Sequence, residues 1–185
     1  MRRTISLQIM KTALLVIDVQ RGLFEAAPPP YEADAVLERI NSLASRDRAA
    51  GVPVVFIQHE RDGSPLQHGS EKWQLDRRLV VEPQDVTLRK TTPDSFLRTE
   101  LSSLLEKLGT QKLIICGYAS EFCVDTTTRR AASLGFPVLL VSDAHTTHDK
   151  KHASGAQIRA HQNATLPNLS FGPVIEIKVA EEVAF

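Results

Sequence analysis

Apolar residues gather in six short runs, with helix-length stretches between most of them. The runs 12–18, 53–59, 86–89, 111–117, 137–141 and 173–179 carry most of the chain's clustered Val, Ile and Leu. Most are continuous rather than alternating, the pattern of strands covered on both faces. Between the first two, the stretch 32–50 sets Val36, Ile40, Leu43 and Ala44 at helical spacing. A clearer helix is predicted from Thr92 as N-cap, with Pro93 at the first helical position. Leu97, Leu101, Leu104, Leu105 and Leu108 form its apolar stripe, and Gly109 closes it. Further helices are predicted near 122–134, before Gly135, and over 152–164. Strands alternating with helices predict an α/β fold: a Rossmann-like three-layer sandwich with a mostly parallel six-stranded sheet flanked by helices. Two loops stand out, Gln20 to Tyr31 with Pro28-Pro-Pro30, and His59 to Pro83. Loops of this length in a compact domain are usually functional lids or oligomer contacts.

Composition narrows the function. A chain of 185 residues suits one domain, able to bury roughly 70% of the surface its unfolded form exposes. Residues 11–185 read as that domain, behind an N-terminal extension at 1–10. Basic and acidic residues balance at 22 each, which predicts neither a nucleic-acid groove nor an anionic membrane partner. No apolar run approaches the ~20 residues of a membrane helix. Thr4 to Met10 is too short and polar for a signal-peptide core. Two cysteines do not make a disulfide framework, so a reducing cytoplasm is the expected compartment. The sequons Asn163-Ala-Thr165 and Asn168-Leu-Ser170 carry no meaning there.

The chemistry concentrates at strand ends. Asp18 ends the first run and Lys90 the third. Cys123 follows the fourth, Lys112-Leu-Ile-Ile-Cys-Gly-Tyr118, at the start of a helix. In a parallel sheet these ends open on one rim, where such folds place ligands. A helix N-terminus favours thiolate over thiol. A carboxylate, an ammonium and a thiol meeting there predict nucleophilic catalysis. Cys116, inside an apolar strand, reads as a small hydrophobe. Phe24, Tyr31, Trp73, Tyr118 and Phe122 lie in the loops or near the thiol and suggest a partly apolar pocket. A dinucleotide site is excluded, because the first strand leads into Asp18-Val-Gln-Arg-Gly22 without G-x-G-x-x-G.

These residues resemble the isochorismatase-like cysteine hydrolase family, which includes nicotinamidases and related amidases. The marks are Leu14-Leu-Val-Ile-Asp-Val-Gln20 with Phe24, then Lys90 with Thr91, Ser95 and Phe96. They continue with Ile115-Cys-Gly-Tyr-Ala-Ser-Glu-Phe-Cys-Val124 with Thr127, and Val141-Ser-Asp-Ala144. The resemblance implies the isochorismatase-like fold, a homo-oligomer (dimer or tetramer), no cofactor and a small-molecule amide substrate. It makes Cys123 the nucleophile that forms a thioester, Asp18 the base, and Lys90 the orienting charge. Backbone N–H groups of Ala119 and Cys123 become the oxyanion hole, behind a cis Tyr118–Ala119 peptide. On general grounds, burial would raise the Asp18 pKa, Lys90 would oppose that rise, and the helix terminus would lower the thiol's. Gln20, Phe24, Trp73, Tyr118 and Phe122 become pocket candidates. The Asp-x-His metal pair of nicotinamidases is absent, replaced by Gln58-His59-Glu60 with His68 beyond. His59, Glu60 and His68 are weak metal candidates, and the departure argues against nicotinamide as substrate. Asp143 reads as a structural hydrogen-bonder, and His145, His148 and His152 as rim or solvent residues. Two alternatives stand beside amide hydrolysis: vinyl ether hydrolysis of the isochorismate type, which needs the aspartate but no thiol, and a non-catalytic scaffold of the same fold.

Overall fold

A computed structural model describes residues 10–184, so the N-terminal extension lies almost wholly outside the described residues. Six strands, β1 (Thr12–Ile17), β2 (Val54–His59), β3 (Val86–Lys90), β4 (Lys112–Tyr118), β5 (Val138–Thr146) and β6 (Ile175–Lys178), form one sheet. Its order is β3-β2-β1-β4-β5-β6, and every neighbouring pair runs parallel. The sheet turns back between β1 and β4, the two strands that lead into Asp18 and the cysteine turn. Helices are α1 (Arg21–Phe24), α2 (Ala33–Ala49), α3 (Leu101–Leu108), α4 (Asp125–Ser133) and α5 (Gly155–Thr165).

Alternate residues of the central strands serve opposite faces, as the two-residue period of a strand requires. Leu14, Val16, Val54, Phe56, Ile114 and Cys116 pack with Val36, Ile40 and Leu43 of α2. Ala13, Leu15, Ile17, Val55, Ile57 and Ile115 pack with Leu101 and Leu105 of α3 and Ala131 and Ala132 of α4. Both layers are dry, which is why the runs read as continuous.

Three elements differ from their sequence expectations. The helix foreseen from Thr92 begins at Leu101, because side chains hold the preceding segment in turns. Thr92 Oγ1 donates to the Asp94 carbonyl, Asp94 Oδ1 accepts from the Phe96 amide, and Arg98 takes a φ of +58°. Leu97 therefore points outward, 45% exposed. Helix α5 begins at Gly155 rather than 152, where Ser154 and Gln157 make a reciprocal capping box. Strand β5 runs five residues past its apolar end. Its register against β4 slips, pairing Leu140 with Ile115 but His145 with Gly117. The slipped segment is anchored by Asp143, whose Oδ1 accepts the Ala180 amide and whose Oδ2 lies 3.3 Å from Arg39 Nε. Asp143 is thus the structural hydrogen-bonder its sequence position suggests.

Gly117 marks the closest approach of β4 to β1. At φ +117° only glycine is at ease, and a Cβ there would sit 2.1 Å from the Ile17 carbonyl oxygen.

Candidate active site

Strand ends bring the acid and the amine together. Asp18 follows β1 with φ +52° and is buried, as is Lys90 at the end of β3. Lys90 Nζ donates to Asp18 Oδ2 at 2.7 Å and to the Thr92 carbonyl at 3.2 Å, and it stands 3.4 Å from His59 Nδ1. Burial alone would lower the Lys90 pKa, but the Asp18 carboxylate beside it, with a further contribution from Cys123, outweighs burial and raises the value. The lysine is therefore a fixed cation. Asp18 Oδ1, by contrast, is buried with no hydrogen-bond partner.

Cys123 completes the group. It lies in a π-helical turn, Ser120–Val124, that joins β4 to α4. The bond before that turn, Tyr118–Ala119, is cis, as the resemblance implies. A carboxylate oxygen of Asp18, a ring nitrogen of His59 and the Cys123 sulfur all lie within 4.8 Å of one another. Sequence reasoning expected the thiol pKa to fall. Burial, followed by the Asp18 charge, instead pushes it up to about 12, and Lys90 only partly compensates. The cysteine is two residues short of α4, whose first residue is Asp125, so it does not occupy that helix's N-terminus. The resting group is a neutral thiol beside a carboxylate–ammonium pair.

His59 was a weak metal candidate with Glu60 and His68. Those three do not converge; His68 instead packs edge-on to Trp73, ring centroids 4.6 Å apart. Among the described residues the set within metal-binding reach is Asp18, His59 and Cys123. It suits a metal poorly, because the Lys90 ammonium already engages Asp18 and lies against His59. Burial and Lys90 also lower the His59 pKa, so the ring is a neutral acceptor facing that ammonium.

The pocket candidates divide. Gln20 is fully buried: its Nε2 donates to the carbonyls of His59 and Trp73 at 2.9 and 2.7 Å, and its Oε1 accepts the His59 amide at 2.9 Å. It braces the long loop against β1 and β2 rather than lining a pocket. Gln20→Ala is expected to lower stability by about 2–3 kcal/mol through stranded backbone groups, checked by urea unfolding. Phe24 is likewise core, packed edge-on to Tyr118 with centroids 5.9 Å apart. Tyr118 is half-buried and hydrogen-bonds His148 Nδ1 at 2.8 Å. Phe122 is 53% exposed beside Cys123, with Lys150 Nζ 5.6 Å from its ring centroid. Trp73 borders a cleft of about 530 Å³ together with Glu60, Lys90, Thr91 and Arg98.

The histidines expected at the rim also divide. His148 is half-buried and His152 exposed, whereas His145 is completely buried under the cysteine turn. Sequence reasoning missed that burial because the apolar run ends at Val141.

The chain is similar to proteins of one known family. The Isochorismatase domain profile matches residues 12–176. A streptothricin hydrolase from Streptomyces noursei is 40% identical over 74% of this chain, which spans only 50% of that relative's length. Nicotinamidase 3 from Arabidopsis thaliana is 32% identical over 86% of this chain and 81% of its own. A crystal structure of an isochorismatase family protein superposes with a TM-score of 0.83 at 36% identity, covering 90% of this chain and 97% of that one. With fold and sequence profile in agreement, the chain belongs to the isochorismatase family.

Proposed function

We propose that this protein is a cysteine-dependent hydrolase that cleaves a C–N amide bond of a small molecule through a thioester. The observation that carries the reading is the division of labour on Asp18. One oxygen is held by Lys90 and the other is buried without a hydrogen-bond partner, and a carboxylate oxygen of Asp18 lies within 4.8 Å of the Cys123 sulfur. A neutral thiol needs a base at the moment of attack, and that oxygen is the available acceptor.

The reaction follows from these positions. Asp18 takes the thiol proton as Sγ bonds to the amide carbon. The oxygen left negative is stabilised by the backbone N–H groups of Ala119 and Cys123, each such donor worth about 3–4 kcal/mol where one has been removed. Asp18 then returns the proton to the departing nitrogen as the C–N bond breaks, leaving a thioester on Cys123. Water attacks the thioester, giving its proton to Asp18, and the thiol is re-formed as the acid product leaves. Lys90, bonded to the other carboxylate oxygen, holds Asp18 in place through both proton transfers. Vinyl ether hydrolysis makes no use of a sulfur, so the placement of Cys123 favours acyl transfer. The streptothricin hydrolase and nicotinamidase relatives support an amide-type substrate, to be sought by an ammonia-release screen over primary amides, lactams and ureido compounds.

Trapping the intermediate tests the reading. During turnover, acid-quenched protein should gain the mass of the acyl group at Cys123, and hydroxylamine should divert product to the hydroxamate. Turnover without either signal overturns the thioester mechanism.

A further inference from the structure

We infer that Ser120, His145 and Asn163 form a buried positioning relay that sets the aim of the oxyanion turn. This rests on the proposed acyl-transfer chemistry for its kinetic consequence, but its hydrogen-bond polarity is a separate claim. The chain begins on β5 and α5. Asn163 Nδ2 donates to the Ser142 carbonyl at 3.0 Å. That bond fixes the amide's orientation and leaves Oδ1, 2.9 Å from His145 Nε2, as the acceptor. His145 must therefore carry its proton on Nε2. Its Nδ1, 2.8 Å from Ser120 Oγ, must then accept, so the serine hydroxyl points at the histidine.

Each link in the relay is forced by the one before it. Ser120 and His145 are wholly buried, so water does not compete for these bonds. Burial holds the His145 pKa down at about 4, keeping the ring neutral and its polarity unambiguous at working pH. The register slip in β5 has a purpose in this light. It carries His145 opposite Gly117, directly behind the turn, where an in-register strand would have placed Ser142. Ser120 is the first residue of the π-helical turn, between the two proposed oxyanion donors, Ala119 and Cys123. Its hydroxyl is committed to the scaffold rather than to substrate. The relay also occupies both ends of the Asn163 side-chain amide.

The relay predicts a separation of effects. Ser120→Ala deletes the tie but leaves Asp18, Lys90 and Cys123 in place. A loosened donor costs about tenfold to a hundredfold in rate, so kcat should fall by that factor while KM holds and Ser120→Thr restores most of it. Alkylation of Cys123 by iodoacetamide, which forms no oxyanion, should stay within about twofold of wild type on the same argument. A kcat unchanged in Ser120→Ala, or alkylation falling in step with kcat, overturns the positioning role. Nitrogen-15 NMR of the histidines needs no substrate and tests the polarity directly. His145 should be the neutral Nε2–H tautomer from pH 5 to 8, with Nδ1 losing its hydrogen-bonded shift in Ser120→Ala. An Nδ1–H tautomer, or titration near the ordinary histidine value, overturns the relay itself. Loss of the acyl adduct at Cys123 with the tautomer confirmed would instead fault the acyl-transfer reading.

Discussion

Asp18→Asn should reduce turnover at least a thousandfold while making Cys123 easier to alkylate. The two outcomes pull in opposite directions, which is why the pair is informative. In the wild-type site the ammonium of Lys90 is neutralised by Asp18, and the thiol keeps its proton. Removing the carboxylate charge takes away a cause of the raised thiol pKa. It also leaves Lys90 with the sulfur as its remaining acidic neighbour, and thiolate becomes the favourable counter-charge. Iodoacetamide at pH 8 should then react faster with the variant than with wild type. Turnover nevertheless collapses, because an asparagine neither accepts the thiol proton nor returns one to the leaving nitrogen; losses of a key acid–base group run to about 10³–10⁴. Cys123→Ala should abolish turnover with folding intact. If Asp18→Asn keeps more than a tenth of wild-type kcat, Asp18 is not the base.

The second large effect concerns stability. Asp47 lies on the inner face of α2, completely buried, and neither carboxylate oxygen has a hydrogen-bond partner. Burial pushes its pKa up from 3.8 to about 7 against the opposing charges of Arg46 and Arg48. On the sheet side the titratable group nearest in effect is Cys116, whose thiol is itself raised by burial and by Asp47. Below pH 4 the carboxyl is protonated in both folded and unfolded chains, and it costs nothing. Between pH 4 and 7 the unfolded chain ionises and the folded one does not, so stability falls as pH rises. Above 7 the full penalty, about 4 kcal/mol at 1.36 per pKa unit, is in force. Asp47→Asn should therefore be more stable than wild type at pH 8 by up to that amount, less the cost of burying an amide. At pH 4 the two should nearly match. Urea unfolding at both pH values checks this, and equal differences at the two pH values would refute it.

Much of the fold was legible because central strands of a parallel sheet are long continuous apolar runs. Asp18 and Lys90 were legible because they close the first and third runs, and Cys123 because it lies in the short turn that follows the fourth. What the sequence hid follows from tertiary override. The stripe from Leu97 to Leu108 has helical spacing, yet Thr92, Asp94 and the bond from the Ser95 amide to Thr127 hold its first half in turns. Gln20 and Phe24 sit near Asp18 in sequence, but their side chains turn into the brace and the core. His145 lay beyond the last apolar residue of β5, where periodicity gives no sign that a polar segment returns to the sheet. The thiol's direction was misjudged because a helix-dipole argument assumes the sulfur stands at an α-helix start. A π turn, partial burial and the Asp18 charge change the sign.

The glycine between the two central strands has a bearing on the chemistry beyond packing. Ile17 and Gly117 are register partners, and Asp18 and the cysteine turn begin one and three residues beyond them. The separation of acid and sulfur is therefore gauged by bare main chain pressed against main chain, with no side chain as a shim. Any larger residue at 117 would drive a wedge into that joint and carry proton donor and acceptor apart, even in a protein that still folds.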